Sequence, residues 1–275
     1  LVTCPSDITV SNDSGVCEAL VNIPAPITSD NCAVATVVND YNATDNATGV
    51  YPVGTTLVTW TVTDIHNNVS VCSMNIIVND NEIPVITCPA DVDVSNDTTT
   101  CEAFVTIEAL IATDNCEVAS ITNDYTNNPD ASGIYPVGST SVIWTVTDIH
   151  GNISNCTQVV VVNDDELPTI TCPADIAVDN TPGLCSANVT VPLPVVADNC
   201  GLQSLLNDYN NSGNASDIYP VGTTQIIWTI TDIHGNQSTC TMNVVVTDNE
   251  MPAITCPANI EVNNTPGMCD ASVNV

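Results

Sequence analysis

Carboxylates and amides recur side by side along this chain. The stretches "NDNEIP" at 79–84, "NDDELP" at 163–168 and "TDNEMP" at 247–252 each set acids and amides ahead of a proline, and the pairs Asp30-Asn31, Asp114-Asn115 and Asp198-Asn199 each stand directly before a cysteine. Oxygens of this kind suit a hard cation such as calcium. The setting sharpens that chemistry, because 275 residues carry 32 Asp and Glu, three His and no Lys or Arg, for a net charge of -32. Each acid must stay in water, accept hydrogen bonds or hold a dissolved cation, since an unpaired buried charge is too costly. Such acidity repels nucleic acid and anionic membrane surfaces, and no apolar run reaches the ~20 residues of a membrane-spanning helix. Nucleic acid and membrane insertion are therefore not expected of this segment.

The fourteen cysteines fall at 4, 17, 32 and 72, then 88, 101, 116 and 156, then 172, 185, 200 and 240, and finally 256 and 269. Each set repeats the one before it after 84 residues, a length that suits a self-contained small domain. Repeats are expected over 1–83, 84–167 and 168–251, with the start of a fourth over 252–275. That start reads as part of a longer array. The cysteines lack the CxxC pairs of zinc sites, and the histidines at 66, 150 and 234 are too far from them in spacing, so disulfides in an oxidising compartment are expected.

"TTLVTWTVTD" at 55–64 alternates Val58, Trp60 and Val62 with threonines, the period of a half-buried strand. Cys17, Ala19, Val21 and Ile23 alternate before it, and Cys72, Met74, Ile76 and Val78 after the turn "DIHNN". No helical period occurs, so each unit reads as a small two-sheet β-sandwich. The tryptophans read as core residues and the histidines as turn residues rather than catalytic bases.

The order "ITCP", "DNC" at 30–32, "YPVGTT" at 51–56, "VTWTVTD" and "HGN" resembles the hyalin repeat (HYR) domain family in all three units and the stub. The resemblance implies tandem immunoglobulin-like sandwiches of extracellular and cell-surface proteins, associated with adhesion and matrix and carrying no catalytic activity. It also implies that the first cysteine of each unit pairs with the last, as Cys4 with Cys72, Cys88 with Cys156 and Cys172 with Cys240. This leaves Cys17 with Cys32, Cys101 with Cys116 and Cys185 with Cys200, although a simple meander puts Cys17 and Cys32 at opposite ends of a strand. Four cysteines allow three connectivities, and spacing does not choose among them.

Of the 32 acids, 18 occupy six positions common to the three units. Under that topology, end-to-end stacking brings Asp40, Asp80, Asn81 and Glu82 towards Asp114, Asn115, Asp148 and Asn152. It likewise brings Asp124, Asp164, Asp165 and Glu166 towards Asp198, Asn199 and Asp232. Asp208, Asp248, Asn249 and Glu250 form the third and least complete joint. Calcium is the cation expected there, since it takes six to eight such oxygens. The expected function is an extracellular stalk, sheath or filament, secreted or surface-anchored, disulfide-stapled and calcium-stiffened. Its partners are further repeats and other copies of itself. The alternative is an adhesion module that recognises a surface glycan or protein. No phosphate loop, nucleophile elbow or zinc motif occurs, so an enzyme is not expected.

Overall fold

The computed structural model describes residues 1–274 and contains strands and no helix among them. It divides into two compact units, Leu1–Glu166 and the part from Leu167 onward. The first unit holds two hydrophobic cores and the second holds one.

The first 83 residues show how a core is built. Strands β1 (Val2–Thr3), β2 (Ile8–Ser11), β3 (Glu18–Val21), β4 (Ile27–Thr28), β5 (Val34–Asn39), β6 (Gly49–Pro52), β7 (Gly54–Asp64) and β8 (Val69–Asn79) follow in order. One sheet runs β2-β8-β7-β5; β3 pairs with β6 and β1 with β4. β2 lies parallel to β8, whereas β7 and β8 form a long antiparallel hairpin in which Trp60 stands opposite Cys72. This is an immunoglobulin-like sandwich. The alternation seen in the sequence aims Val58, Trp60 and Val62 from β7 and Met74, Ile76 and Val78 from β8 inward, where they meet Ala19, Val21 and Ile23. Cys4 and Cys72 pack against this core and are bonded to each other.

The same arrangement recurs in residues 85–163 around Trp144 and in residues 169–247 around Trp228. Cys88–Cys156 and Cys172–Cys240 close them in the same way. Each sandwich also carries a tyrosine pair stacked at 4.2–4.3 Å, Tyr41 on Tyr51, Tyr125 on Tyr135 and Tyr209 on Tyr219. The inner ring is fully buried, and its hydroxyl donates to the Ala47, Ala131 or Ala215 carbonyl. Burial pushes these three phenols up to about 12.

The three tryptophans differ at the indole N–H. Trp60 Nε1 donates to the Asp45 carbonyl at 2.9 Å, and Trp144 Nε1 donates to Gln158 Oε1 at 3.3 Å. Gln158 Nε2 in turn donates to the Ala90 carbonyl at 2.6 Å. Trp228 Nε1 is buried without an acceptor: Met242 stands where Gln158 stands in the preceding repeat, and no backbone carbonyl takes the part that Asp45 plays for Trp60. A buried unsatisfied donor costs about 1–3 kcal/mol. Met242→Gln should therefore stabilise its core by about 1 kcal/mol, with Ala174 accepting the amide. Denaturant unfolding checks this, and a lower midpoint in the variant would contradict it.

Candidate metal centre

Within the first unit, the segment after β8 meets two loops of the next sandwich, and a closed acidic cluster results. Asp80 comes from the segment after β8, Asp114 and Asn115 from the loop after strand Ile111–Thr113, and Asp148, His150 and Asn152 from the hairpin after strand Gly138–Asp148. Oxygens of Asp80, Asp114 and Asp148 lie within 4.8 Å of one another. Asp80 is only 8% exposed and Asp148 2%.

The loops are shaped before any ion is considered. Asp148 Oδ1 accepts the backbone amides of His150 at 2.8 Å and Asn152 at 2.9 Å, and Oδ2 accepts Asn152 Nδ2 at 2.8 Å. Burial alone would raise its pKa, but the Asn152 side chain and the amides of Asn152, His150 and Gly151 outweigh burial and hold the carboxyl below its ordinary range. It is therefore an anion. Asp114 Oδ2 accepts the amides of Cys116 at 2.9 Å and Glu117 at 3.2 Å.

Contacts across the joint converge on Asp80. Asn115 Nδ2 donates to Asp80 Oδ1 at 3.3 Å and to the Val16 carbonyl at 3.2 Å. His150 Nδ1 lies 3.0 Å from Asp80 Oδ2, and Asn152 Nδ2 donates to the Asp80 carbonyl at 3.2 Å. Asp114 Oδ1 and Asn115 Oδ1 are left buried with no hydrogen-bond partner. Three carboxylates, one with a bare oxygen, and the bare amide oxygen of Asn115 form a set of hard donors that fits calcium, and the one side chain among them able to carry positive charge is an imidazole. Cys116 Sγ also falls near Asp80 and His150, but it is bonded to Cys17, so no thiolate is available for a zinc-type site.

That bond corrects an expectation from the sequence. Cys17 pairs with Cys116 of the following sandwich, not with Cys32, and Cys101 is accordingly not joined to Cys116. Cys32 and Cys185 are free and exposed, so Cys185 is not joined to Cys200, which is itself disulfide-bonded, as is Cys101. The reason is geometric. Cys17 directly precedes β3, with its carbonyl accepting the Val53 amide at the end where the chain leaves the sandwich, while Cys32 lies beside the β7–β8 hairpin at the end where it enters. Local spacing suggested a pair that the fold holds apart.

Several other residues expected at the joint serve the sandwich itself. Asp40 Oδ1 accepts the Thr59 amide midway along β7, five residues from its start at Gly54, which places it ~17 Å from the exit end. Asp124 and Asp208 bind the Ile143 and Ile227 amides in the same way. Glu82 accepts the Gly15 amide, Glu166 the Thr99 amide and Glu250 the Gly183 amide, so each caps a turn of its own sandwich. Asn81 donates to Ser11 Oγ, Asp165 accepts from Ser95 Oγ, and Asn249 donates to Asp179. Asp164 accepts the Glu166 amide. In the second unit, Asp198 Oδ2 accepts the Cys200 and Gly201 amides while Oδ1 is buried without a partner, and Asp232 accepts the His234 and Asn236 amides. Asp248 is exposed and accepts the Glu250 amide. The sequence did not single out His150 as a joint residue. Its recurrence once per unit, after an invariant Asp-Ile, is the signal that could have done so.

Known proteins bear on the repeat itself. The HYR domain model matches residues 163–246. Hyalin of Lytechinus variegatus is 30% identical over 269 residues, covering 93% of this chain and 48% of that protein. Hyalin of Strongylocentrotus purpuratus is 29% identical over 289 residues, covering 99% of this chain and 23% of its own length. The chain thus spans about half or less of the relatives it matches. Among solved structures, Drosophila N-cadherin EC1-4 aligns over 90% of this chain and 74% of its own with a TM-score of 0.35 at 10% identity, a likeness too slight to carry function. The cysteine period, the sandwich topology and the matches agree: this chain belongs to the hyalin repeat (HYR) family.

Proposed function

We propose that the chain is an extracellular structural array of adhesion type, in which successive sandwiches are locked by a disulfide and stiffened by calcium into a stalk, sheath or filament. The observation that carries the calcium half is the cluster of Asp80, Asp114 and Asp148 with two buried, unpartnered oxygens, in a chain with no Lys or Arg. Asp80, Asp114, Asp148 and Asn115 would hold the ion, and His150 and Asn152 would orient Asp80 and Asp148. The ion supplies the positive charge that no side chain here provides. The covalent half rests on Cys17–Cys116, which ties two consecutive sandwiches together. Abundant disulfides fit an oxidising compartment, outside the cell or on its surface. The partners of such an array in chemical terms are calcium and further repeats.

Extracellular modules bind calcium at roughly 0.1–1 mM, so 10 mM calcium should stabilise the joint by about 1.4–2.7 kcal/mol. Calorimetry of the chain in calcium and in chelator checks this, with Asp80→Asn and Asp114→Asn as variants expected to lose the difference. Equal melting of the unmodified chain in both buffers would sink the calcium reading.

A further inference from the structure

The disulfide that joins the first two sandwiches stands directly on the acidic cluster. Cys116 Sγ, an oxygen of Asp80 and a ring nitrogen of His150 lie within 4.8 Å of one another. Cys17, with its Cα 4.7 Å from that of Cys116, brings a second sulfur to the same place. Cys17 and Asp80 belong to the first sandwich, and Cys116 and His150 to the second. In the oxidised joint the sulfurs are spent on each other, and hard oxygens are the donors that remain.

Breaking the bond changes which donors are on offer, while the backbone that carries them stays pinned by contacts of its own. The Cys17 carbonyl accepts the Val53 amide at 3.2 Å, and the Cys116 amide donates to Asp114 Oδ2 at 2.9 Å. Asp80 Oδ1 accepts Asn115 Nδ2 at 3.3 Å and the Glu82 amide at 3.2 Å, and the Asp80 carbonyl accepts Asn152 Nδ2 at 3.2 Å. Oδ2 is thereby aimed at His150 Nδ1, 3.0 Å away. A tetrahedral ion with nitrogen and oxygen ligands at ~2.0–2.1 Å sets such a pair about 3.3 Å apart, and two thiolates at ~2.3 Å about 3.8 Å apart. The first separation is nearly met as it stands. The second is reached by turning the two cysteine side chains on their fixed backbones.

We propose that the reduced joint is a zinc site, with Cys17, Cys116, His150 and Asp80 as its four ligands. A dithiol supplies the two electrons. Its thiolate attacks one sulfur of the Cys17–Cys116 bond and expels the other, and its second thiolate then attacks the mixed disulfide and expels the first. Cys17 and Cys116 take up the dithiol's two protons, and the dithiol becomes a cyclic disulfide. Zinc binds the pair as thiolates and those protons pass to solvent. The ion draws two ligands from each sandwich, so the tie between them survives reduction. Two thiolates and an imidazole select zinc over calcium, which takes oxygen donors. This site does not require that calcium bind the oxidised joint.

The test uses the whole chain carrying Cys32→Ser, Cys185→Ser, Cys256→Ser and Cys269→Ser, which removes the free, exposed thiols. The chain is reduced with a phosphine, which adds no competing thiol, and titrated with cobalt(II) as the probe. The reduced chain should gain a sulfur-to-cobalt charge-transfer band that zinc abolishes, and the oxidised chain should not. His150→Ala in the same background should bind one cobalt fewer per chain, as should Cys17→Ser combined with Cys116→Ser. Asp80→Asn, which keeps the size of the residue, should weaken that same cobalt at least tenfold. A reduced chain without the band, or a His150→Ala chain that binds as many ions as its parent, overturns the proposal.

Discussion

Asn123→Ala is expected to destabilise the second sandwich by about 3 kcal/mol. Asn123 is 3% exposed, and its side chain replaces a stretch of missing secondary structure. Nδ2 donates to Thr126 Oγ1 at 3.0 Å and to the Asn128 carbonyl at 2.6 Å, while Oδ1 accepts the amides of Tyr125 at 2.9 Å and Thr126 at 2.7 Å. Alanine would leave these groups inside a folded loop, each costing about 1 kcal/mol or more where water cannot enter. The loop also positions Tyr125, which stacks on Tyr135 at 4.2 Å. Because a chain with three cores is not a two-state system, hydrogen exchange read core by core is the suitable measurement. Protection should fall around Trp144 and persist around Trp228. A loss below about 1 kcal/mol would mean that water takes over the loop and that the amide is dispensable.

The second large effect concerns Cys17→Ser combined with Cys116→Ser. This bond spans 99 residues, and in the chain-entropy model a loop of about that length is worth about 4.7 kcal/mol. Its removal should leave each sandwich intact, since Cys4–Cys72 and Cys88–Cys156 remain inside them. The expected calorimetric signature is a change from coupled melting of the first two sandwiches to two separated transitions, with the earlier one at lower temperature. Indistinguishable melting of variant and parent would show that the bond adds no coupling between them.

These effects also mark what the sequence made legible. The strand of Trp60 and its partner were readable because period-2 alternation is a direct record of which side faces the core, and Val58, Trp60, Met74 and Ile76 are all buried. Asp80, Asp114 and Asp148 were placed together from the topology that the family resemblance implied, and their oxygens do converge. Cys17–Cys116 was not readable, because the bond joins different repeats and a repeating chain offers the nearer cysteine as an equally regular partner. Asp40 and Glu82 were misplaced for another reason. A carboxylate that accepts a backbone amide within its own sandwich looks, in sequence, the same as one waiting for an ion, and only the hydrogen-bond partner tells them apart. Asn39, Asn123 and Asn207 were hidden likewise, since nothing in the letter Asn records that its amide will close a loop.

The placement of the intra-sandwich disulfides has a mechanical consequence. If the chain is pulled from its two ends, tension entering at Cys4 crosses sulfur to Cys72, runs along the backbone to Cys88 and crosses sulfur again to Cys156. The 68-residue loops between bonded cysteines lie off that path. Even a fully unravelled repeat could then reach a span of only the backbone from Cys72 to Cys88, about 55 Å at ~3.4 Å per residue, rather than the nearly 290 Å of an open 84-residue unit. A fibre made this way would bear load as a cable with little slack, and reducing agent, rather than force, would be what makes it stretch.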